Sequence, residues 1–204
     1  VIFILLAIII TVGCITGLSI SKTNADNYDK PQSQISAKSK SAYLMDYNSG
    51  TVIYSKNELE RLPIASMCKI MTLLLCFDAI EDNSICFDDF VIVSENASGM
   101  GGSQVFLETN GEYSVNELIK SIVIASANDA CVAMAEKLFG SEQAFVDKMN
   151  EKASELGMDN TIFTNCTGLP SPGQYSCAKD VSTMFYNLLQ HKDYYKFSTI
   201  WTDV

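Results

Sequence analysis

The chain has one histidine, His191, in 204 residues. A serine hydrolase most often strips the proton from its nucleophile with a histidine that a carboxylate holds in place. Here such a triad would have to be built around one imidazole in a polar stretch near the C-terminal end, so a lysine is the better candidate base. Positive charge is also scarce: 14 Lys and Arg stand against 24 Asp and Glu, giving a formal net charge of −10 and a pI near 4.5. The lysines are scattered, and a chain without a basic patch is a poor partner for nucleic-acid phosphates.

Other signatures are missing as well. None of the seven cysteines stands in a Cys-x-x-Cys pair. Cys14 lies in the N-terminal apolar run, and Cys68, Cys76, Cys86, Cys131, Cys166 and Cys177 fall mostly in apolar helical or strand patterns. They read as small buried hydrophobes, not as disulfides or a metal site, and no cofactor or zinc site is indicated. The loop Ser98-Gly99-Met100-Gly101-Gly102-Ser103 lacks the Gly-Lys-Ser/Thr ending and the following helix of a phosphate-binding loop. No internal repeat is present.

What is present bounds the class. With 48% hydrophobic residues, the chain can bury one sizeable core, as one domain or a domain with an annex. Val1 to Ile20 is apolar apart from Thr11, Thr16, Ser19 and two glycines, and reads as a signal-peptide core or a membrane anchor. Thr23-Asn24-Ala25 offers a small-residue cleavage site, although about 20 apolar residues also suffice to span a bilayer. Cys14 is a poor lipoprotein site, because Thr11 stands where a larger aliphatic residue belongs. The sequence opens on Val without a start Met or basic leader, so its true beginning is expected to lie further upstream. The expected organisation is a signal peptide or anchor over 1–25, a polar linker over 26–41 and one enzyme domain from 42 to 204, working outside the cytoplasmic membrane.

Along that domain, Ala42–Tyr47 and Thr51–Ser55 are β-prone runs around Asn48-Ser49-Gly50, a hairpin signal. Pro63 precedes a helical pattern from Ala65 to about Ile80, with Ile70, Leu73, Leu74, Phe77 and Ile80 at helical spacing. This helix is expected to be central and buried. Phe90–Val93 and Gln104–Leu107 read as short strands. A capping box of Ser114 with Glu117 opens a second helix that runs to the Ser126 region. A third covers Asp129 to Phe139 and stops at Gly140; a fourth is capped by Ser141 and ends at Gly157; a last covers Lys179 to Gln190. A lone hairpin is marginal, so the sheet is expected to need strands beyond these.

Two patches carry chemistry. Ser66-Met67-Cys68-Lys69 opens the apolar helix, and residues three apart on a helix share a face. Ser66 lies in the first turn, where free N–H groups favour developing negative charge, and its own N–H can help to hold an oxyanion. Lys69 lies among Ile64, Ile70, Met71 and Leu73, surroundings that make an amine harder to keep charged and so fit it as a base. By itself Ser-x-x-Lys is weak: one match is expected by chance in about this length, and Ser19-Ile20-Ser21-Lys22 is such a match. Ser66 alone reads equally as a helix cap. In the second patch, Ser126-Ala127-Asn128, a hydroxyl can relay a proton and an amide can hold a substrate carbonyl. Alone it reads as a polar turn that caps the next helix.

Taken together, and with Pro63–Thr72, Val93–Ala97, Gly101–Gln104, Ile124–Ala130 and Pro172–Ser176 in the same order, these patches resemble the D-alanyl-D-alanine carboxypeptidases, the low-molecular-mass penicillin-binding proteins. The resemblance covers about Ala42 to Lys192. It implies an α+β, β-lactamase/transpeptidase-like fold, with an antiparallel sheet flanked by helices and a helical subdomain. It makes Ser66 the acylated nucleophile, Lys69 its base, Ser126 the proton shuttle and Asn128 the substrate-orienting amide, and it places the Ser98–Ser103 loop at the mouth of the site. The implied substrate is a peptidoglycan stem peptide ending in D-Ala-D-Ala, with β-lactams as inhibitors; neither metal nor cofactor is implied. A membrane surface is a further implied partner, through the N-terminal segment or a C-terminal anchor.

Two departures stand out. Cys68 occupies a position where the family usually has a small polar residue such as Thr, and reads as packing. More seriously, no Lys-Thr-Gly or Lys-Ser-Gly occurs in the 204 residues. In the family that triplet lies on a later strand and holds the substrate carboxylate, so the chain is expected to be an N-terminal portion whose C-terminal strands are missing, and inactive without them. The rivals are a serine β-lactamase, for which no Glu-x-x-Leu-Asn follows Asn128, and a non-catalytic homologue that binds peptidoglycan.

Overall fold

The structure is a computed structural model that describes residues 38–200. The expected signal or anchor segment and most of the linker lie outside the described residues.

Strands β1 (Ala42–Met45) and β2 (Val52–Lys56) form the expected hairpin, with Leu44 opposite Tyr54 and a bulge between Leu44 and Met45. Its turn is closed by Asp46, whose Oδ1 accepts from Ser49 N at 2.8 Å and Ser49 Oγ at 2.6 Å. A 3₁₀ turn, Ala65–Cys68, leads into helix α1 (Lys69–Glu81). From Met71 to Phe77 every side chain of α1 is buried, as expected for a helix that is apolar on all sides. The one polar group in that stretch, Thr72, donates its hydroxyl to Cys166 O at 2.7 Å.

Strand β3 (Phe90–Ile92) pairs antiparallel with β4 (Glu112–Ser114), not with Gln104–Leu107. The expected strand at Gln104–Leu107 does not form. Its amides Val105 N and Leu107 N donate to the Asp129 carboxylate, and Phe106 between them sits at φ 60, so a side chain has taken the donors a ladder would use. Ser94 caps the short helix α2 (Glu95–Ser98).

The remaining helices follow the sequence pattern. Helix α3 (Val115–Ala125) opens with the full capping box of Ser114 and Glu117. Helix α4 (Asn128–Phe139) ends at Gly140, φ 78, and α5 (Glu142–Glu155) is capped by Ser141 Oγ. Helix α6 (Ala178–Leu188) stops two residues short of the expected Gln190 and is followed by a 3₁₀ turn, Lys192–Tyr194, and helix α7 (Tyr195–Ser198). These last two were not anticipated; they hold Tyr194 and Phe197 edge-on to the Phe77 ring at 5.8 and 6.0 Å. Helix α1 packs against α6 and α4, and β1 against α6, which gives the hairpin the helix face it needs.

All six described cysteines are free, and all but Cys86 are buried. Burial pushes the Cys68 and Cys76 thiols up to about 12 and those of Cys131 and Cys166 well above the ordinary thiol range. A maleimide applied to the native chain should therefore modify Cys86 and spare Cys68, Cys76, Cys131 and Cys166 until denaturant is added. Peptide mass mapping checks this; native-state modification of Cys68 would contradict the packing described. Among the described residues no helix is long and apolar enough to cross a membrane.

Candidate active site

The first patch begins with a strained backbone. Ala65 sits at φ 46, a left-handed conformation uncommon outside glycine, and it turns the chain from buried Ile64 out to exposed Ser66. Residues 65–68 wind as a 3₁₀ turn where an α-helix was expected. The tighter winding eclipses side chains three apart, so Ser66 and Lys69 stack more directly than α-helical spacing would place them. Lys69 is 4% exposed, and its Nζ lies 3.4 Å from Ser66 Oγ and donates to Thr167 O at 2.6 Å. A buried amine with one proton pinned on a carbonyl and a hydroxyl in reach is arranged to exchange a proton with that hydroxyl.

The second patch lies where α3 breaks. Ser126 ends α3 at φ 54 and ψ 37, in the left-handed region that stops a helix. Its hydroxyl oxygen is buried and, alone among the buried side-chain nitrogen and oxygen atoms of the described residues, has no hydrogen-bond partner. Such an atom calls for an explanation, and an uncommitted hydroxyl fits a proton-relay role better than a capping one. The cap reading fails for a further reason: α4 has no side-chain cap bond at its N-terminus.

Asn128, 3% exposed, opens α4; its N donates to Ser103 O and its Nδ2 to Gly101 O, each at 2.7 Å. The glycine loop is thus tied to the start of α4. Gly102, at φ +79, permits the approach, since a Cβ there would stand 2.8 Å from Asn128 Nδ2. Asp129 is fully buried and accepts from Val105 N, Leu107 N and its own neighbour Ala130 N.

Ser66 and Lys69 meet directly. Ser126 and Asn128 flank the start of α4, which packs on α1, and no hydrogen bond joins them to Ser66 or Lys69 among the described residues. The nearness of α4 shows in Cys131, one turn beyond Asn128, whose thiol feels the Lys69 charge against the larger effect of burial. His191 is elsewhere. Its ring nitrogens stand 3.1 Å from Asp78 and 2.8 Å from Glu81, and Asp78 is about 14 Å along α1 from Lys69 at the rise of an α-helix. It cannot serve as base to Ser66.

Three contributors were not found from sequence: the Thr167 carbonyl, Gly168 and Asp129. Gly168 adopts φ +86, and a Cβ there would collide with the Ala65 carbonyl. The Asn165-x-x-Gly168 spacing is a turn signal that points to this segment, though not to its place against Ser66.

The sequence profile of the D-alanyl-D-alanine carboxypeptidases matches residues 26–203. The chain belongs to the D-alanyl-D-alanine carboxypeptidase family. It is 49% identical over 174 residues to D-alanyl-D-alanine carboxypeptidase DacF of Bacillus subtilis, covering 85% of this chain and 45% of that one. It is 40% identical over 147 residues to DacC of Escherichia coli, covering 69% and 37%. Among solved structures, D-alanyl-D-alanine carboxypeptidase DacD of Francisella tularensis matches with a TM-score of 0.77 at 34% identity, over 79% of this chain and 39% of that one. Penicillin binding protein 6B of Escherichia coli matches with a TM-score of 0.73 at 33% identity, over 76% and 51%. The chain spans about half or less of the length of these relatives. The mixed helix-and-sheet architecture is that of these family members, in agreement with the α+β, β-lactamase/transpeptidase-like class expected from sequence.

Proposed function

We propose that this chain is the serine-bearing part of a D-alanyl-D-alanine carboxypeptidase that removes the terminal D-alanine of peptidoglycan pentapeptides. Ser66 Oγ attacks the carbonyl carbon of the penultimate residue while Lys69 Nζ takes the hydroxyl proton. The peptide C–N bond then breaks, and Ser126 passes a proton to the departing D-alanine nitrogen. Asn128 orients the peptide, and water hydrolyses the Ser66 ester to free the tetrapeptide and the enzyme. The observation that carries this reading is the buried Lys69 amine, fixed on Thr167 O and within 3.4 Å of Ser66 Oγ.

The site is proposed to work with a Lys-Thr-Gly strand that holds the substrate carboxylate, a triplet the 204 residues do not contain. A β-lactam, which presents a strained amide in place of the dipeptide, would acylate the same serine. Peptidoglycan lies outside the cytoplasmic membrane, so the domain from residue 42 onward is placed there. The segment 1–25 acts as the signal or anchor, 26–41 is the linker, and contact with the membrane surface comes through that segment or a C-terminal anchor. A serine β-lactamase is disfavoured by the family membership and by the absence of a Glu-x-x-Leu-Asn pattern after Asn128.

Fluorescent penicillin labelling with mass-spectrometric mapping tests the reading, on these residues and on the chain continued through a Lys-Thr-Gly strand. The expected result is a lasting adduct on Ser66 in the continued chain only. Labelling of neither would leave the non-catalytic peptidoglycan-binding homologue as the better account, and rapid turnover of the penicillin would favour a β-lactamase.

A further inference from the structure

Helix α1 and the turn before it grip three successive carbonyls of one loop. Cys68 Sγ donates to Asn165 O at 3.3 Å, Thr72 Oγ1 to Cys166 O at 2.7 Å and Lys69 Nζ to Thr167 O at 2.6 Å. The first two contacts anchor the loop; the third touches the amine proposed to take the Ser66 proton. Thr167 donates its amide and its hydroxyl to the same side-chain atom, and that hydroxyl in turn accepts from Leu169 N at 3.3 Å. Asn165 Oδ1 accepts from Thr167 N at 3.2 Å, Thr167 Oγ1 at 3.2 Å, Gly168 N at 2.7 Å and Gln174 Nε2 at 3.3 Å, while Asn165 Nδ2 donates to Leu169 O at 2.9 Å. Gln174 braces the same turn from the other side, its Oε1 accepting from Thr164 N at 2.8 Å and Asn165 N at 3.0 Å.

We propose that Asn165 is a positioning residue for Lys69: by holding the turn at Thr167 and Gly168 it fixes the Thr167 carbonyl, and so the direction in which the Lys69 amine faces Ser66. This rests on the reading of Ser66 and Lys69 given above. An amine that spends one N–H on a fixed acceptor has its remaining protons and its lone pair set in known directions, and proton transfer depends steeply on that aim. Without Oδ1 the amides of Thr167 and Gly168 lose their acceptor, and the carbonyl between them swings with them. The anchors at Cys68 and Thr72 use backbone carbonyls upstream of the freed turn and persist. The loss therefore falls on the chemical step, not on the fold or on encounter with substrate.

The test separates binding from acylation of Ser66 by a chromogenic penicillin in the chain continued through its Lys-Thr-Gly strand, giving the encounter constant K and the acylation rate constant k2. Asn165→Leu should lower k2 by about 10- to 100-fold with K within about twofold. Asn165→Asp, which keeps the acceptor oxygen, should return k2 to within about threefold of the parent. Gln174→Met, which frees Thr164 N and Asn165 N and so loosens Asn165 itself, is the second variant if Asn165→Leu does not fold: k2 should fall, by less than in Asn165→Leu, with K within about twofold, and an unchanged k2 would overturn the assignment. An unchanged k2 in Asn165→Leu, a loss carried by K, or a k2 loss that Asn165→Asp shares would overturn the assignment while leaving the carboxypeptidase reading intact. A parent chain that does not acylate at Ser66 would overturn both.

Discussion

Lys69→Met is expected to slow acylation of Ser66 in the continued chain by about 10²- to 10⁴-fold, the range spanned by a positioned general base, and to leave the protein folded. Both halves follow from where Lys69 sits. It is 4% exposed, with its stem inside and its amine on Thr167 O and near Ser66 Oγ. Methionine has a stem of similar length and no donor, so it fills the space and cannot take a proton. The Thr167 carbonyl loses a donor, a cost of about 1–3 kcal/mol. Against this, a buried amine no longer has to be stripped of water, and an apolar side chain of similar volume offsets part of that cost. Stopped-flow acylation by a chromogenic penicillin, together with a melting curve, decides the matter. A variant that acylates within about threefold of the parent would remove Lys69 from the proposed mechanism, and His191, held at the other end of α1 by Asp78 and Glu81, offers no substitute.

The parts of this molecule that were legible in its sequence are those that local chemistry determines. Ser114 and Glu117 spell a capping box and form one, Gly140 ends α4 in a left-handed conformation, and the run of α1 from Met71 to Phe77, apolar apart from Thr72, is buried. Ser66 and Lys69 were legible because they are three positions apart and need no tertiary fold to meet. What was not legible depends on partners far away in the chain. Gln104–Leu107 has the composition of a strand, but Asp129, 22 positions beyond Leu107, takes its amides. The acceptor for Lys69 is a backbone carbonyl 98 positions away, and a carbonyl leaves no mark in a sequence. Cys68 reads as packing and is indeed buried, yet its thiol also hydrogen-bonds Asn165 O, so the residue that departs from the family pattern helps to seat the loop that Lys69 contacts.

Gly168→Ala is expected to destabilise the chain by about 2–5 kcal/mol, and Gly173→Ala, five residues on, by only about 1–2 kcal/mol. Both glycines have a left-handed backbone, φ +86 and φ +82, so an L side chain meets the same torsional penalty at each. They differ in what surrounds them. Nothing lies within 4 Å of a Cβ built at Gly173, whereas one at Gly168 runs into the carbonyl of Ala65 and comes to 3.1 Å from Cys68 Cβ. A clash with backbone has no rotamer to relieve it; either the loop withdraws or the Ala65 turn moves. Ala65 is itself held at φ 46, so the turn that presents Ser66 has little slack to give. If the loop withdraws, the Thr167 carbonyl leaves Lys69; if the turn moves, Ser66 leaves Lys69. Either way acylation should fall together with stability in Gly168→Ala and survive in Gly173→Ala. Denaturant melts and penicillin labelling of the pair test this, and equal destabilisation of the two variants would show that the loop does not bear on the turn at Ser66.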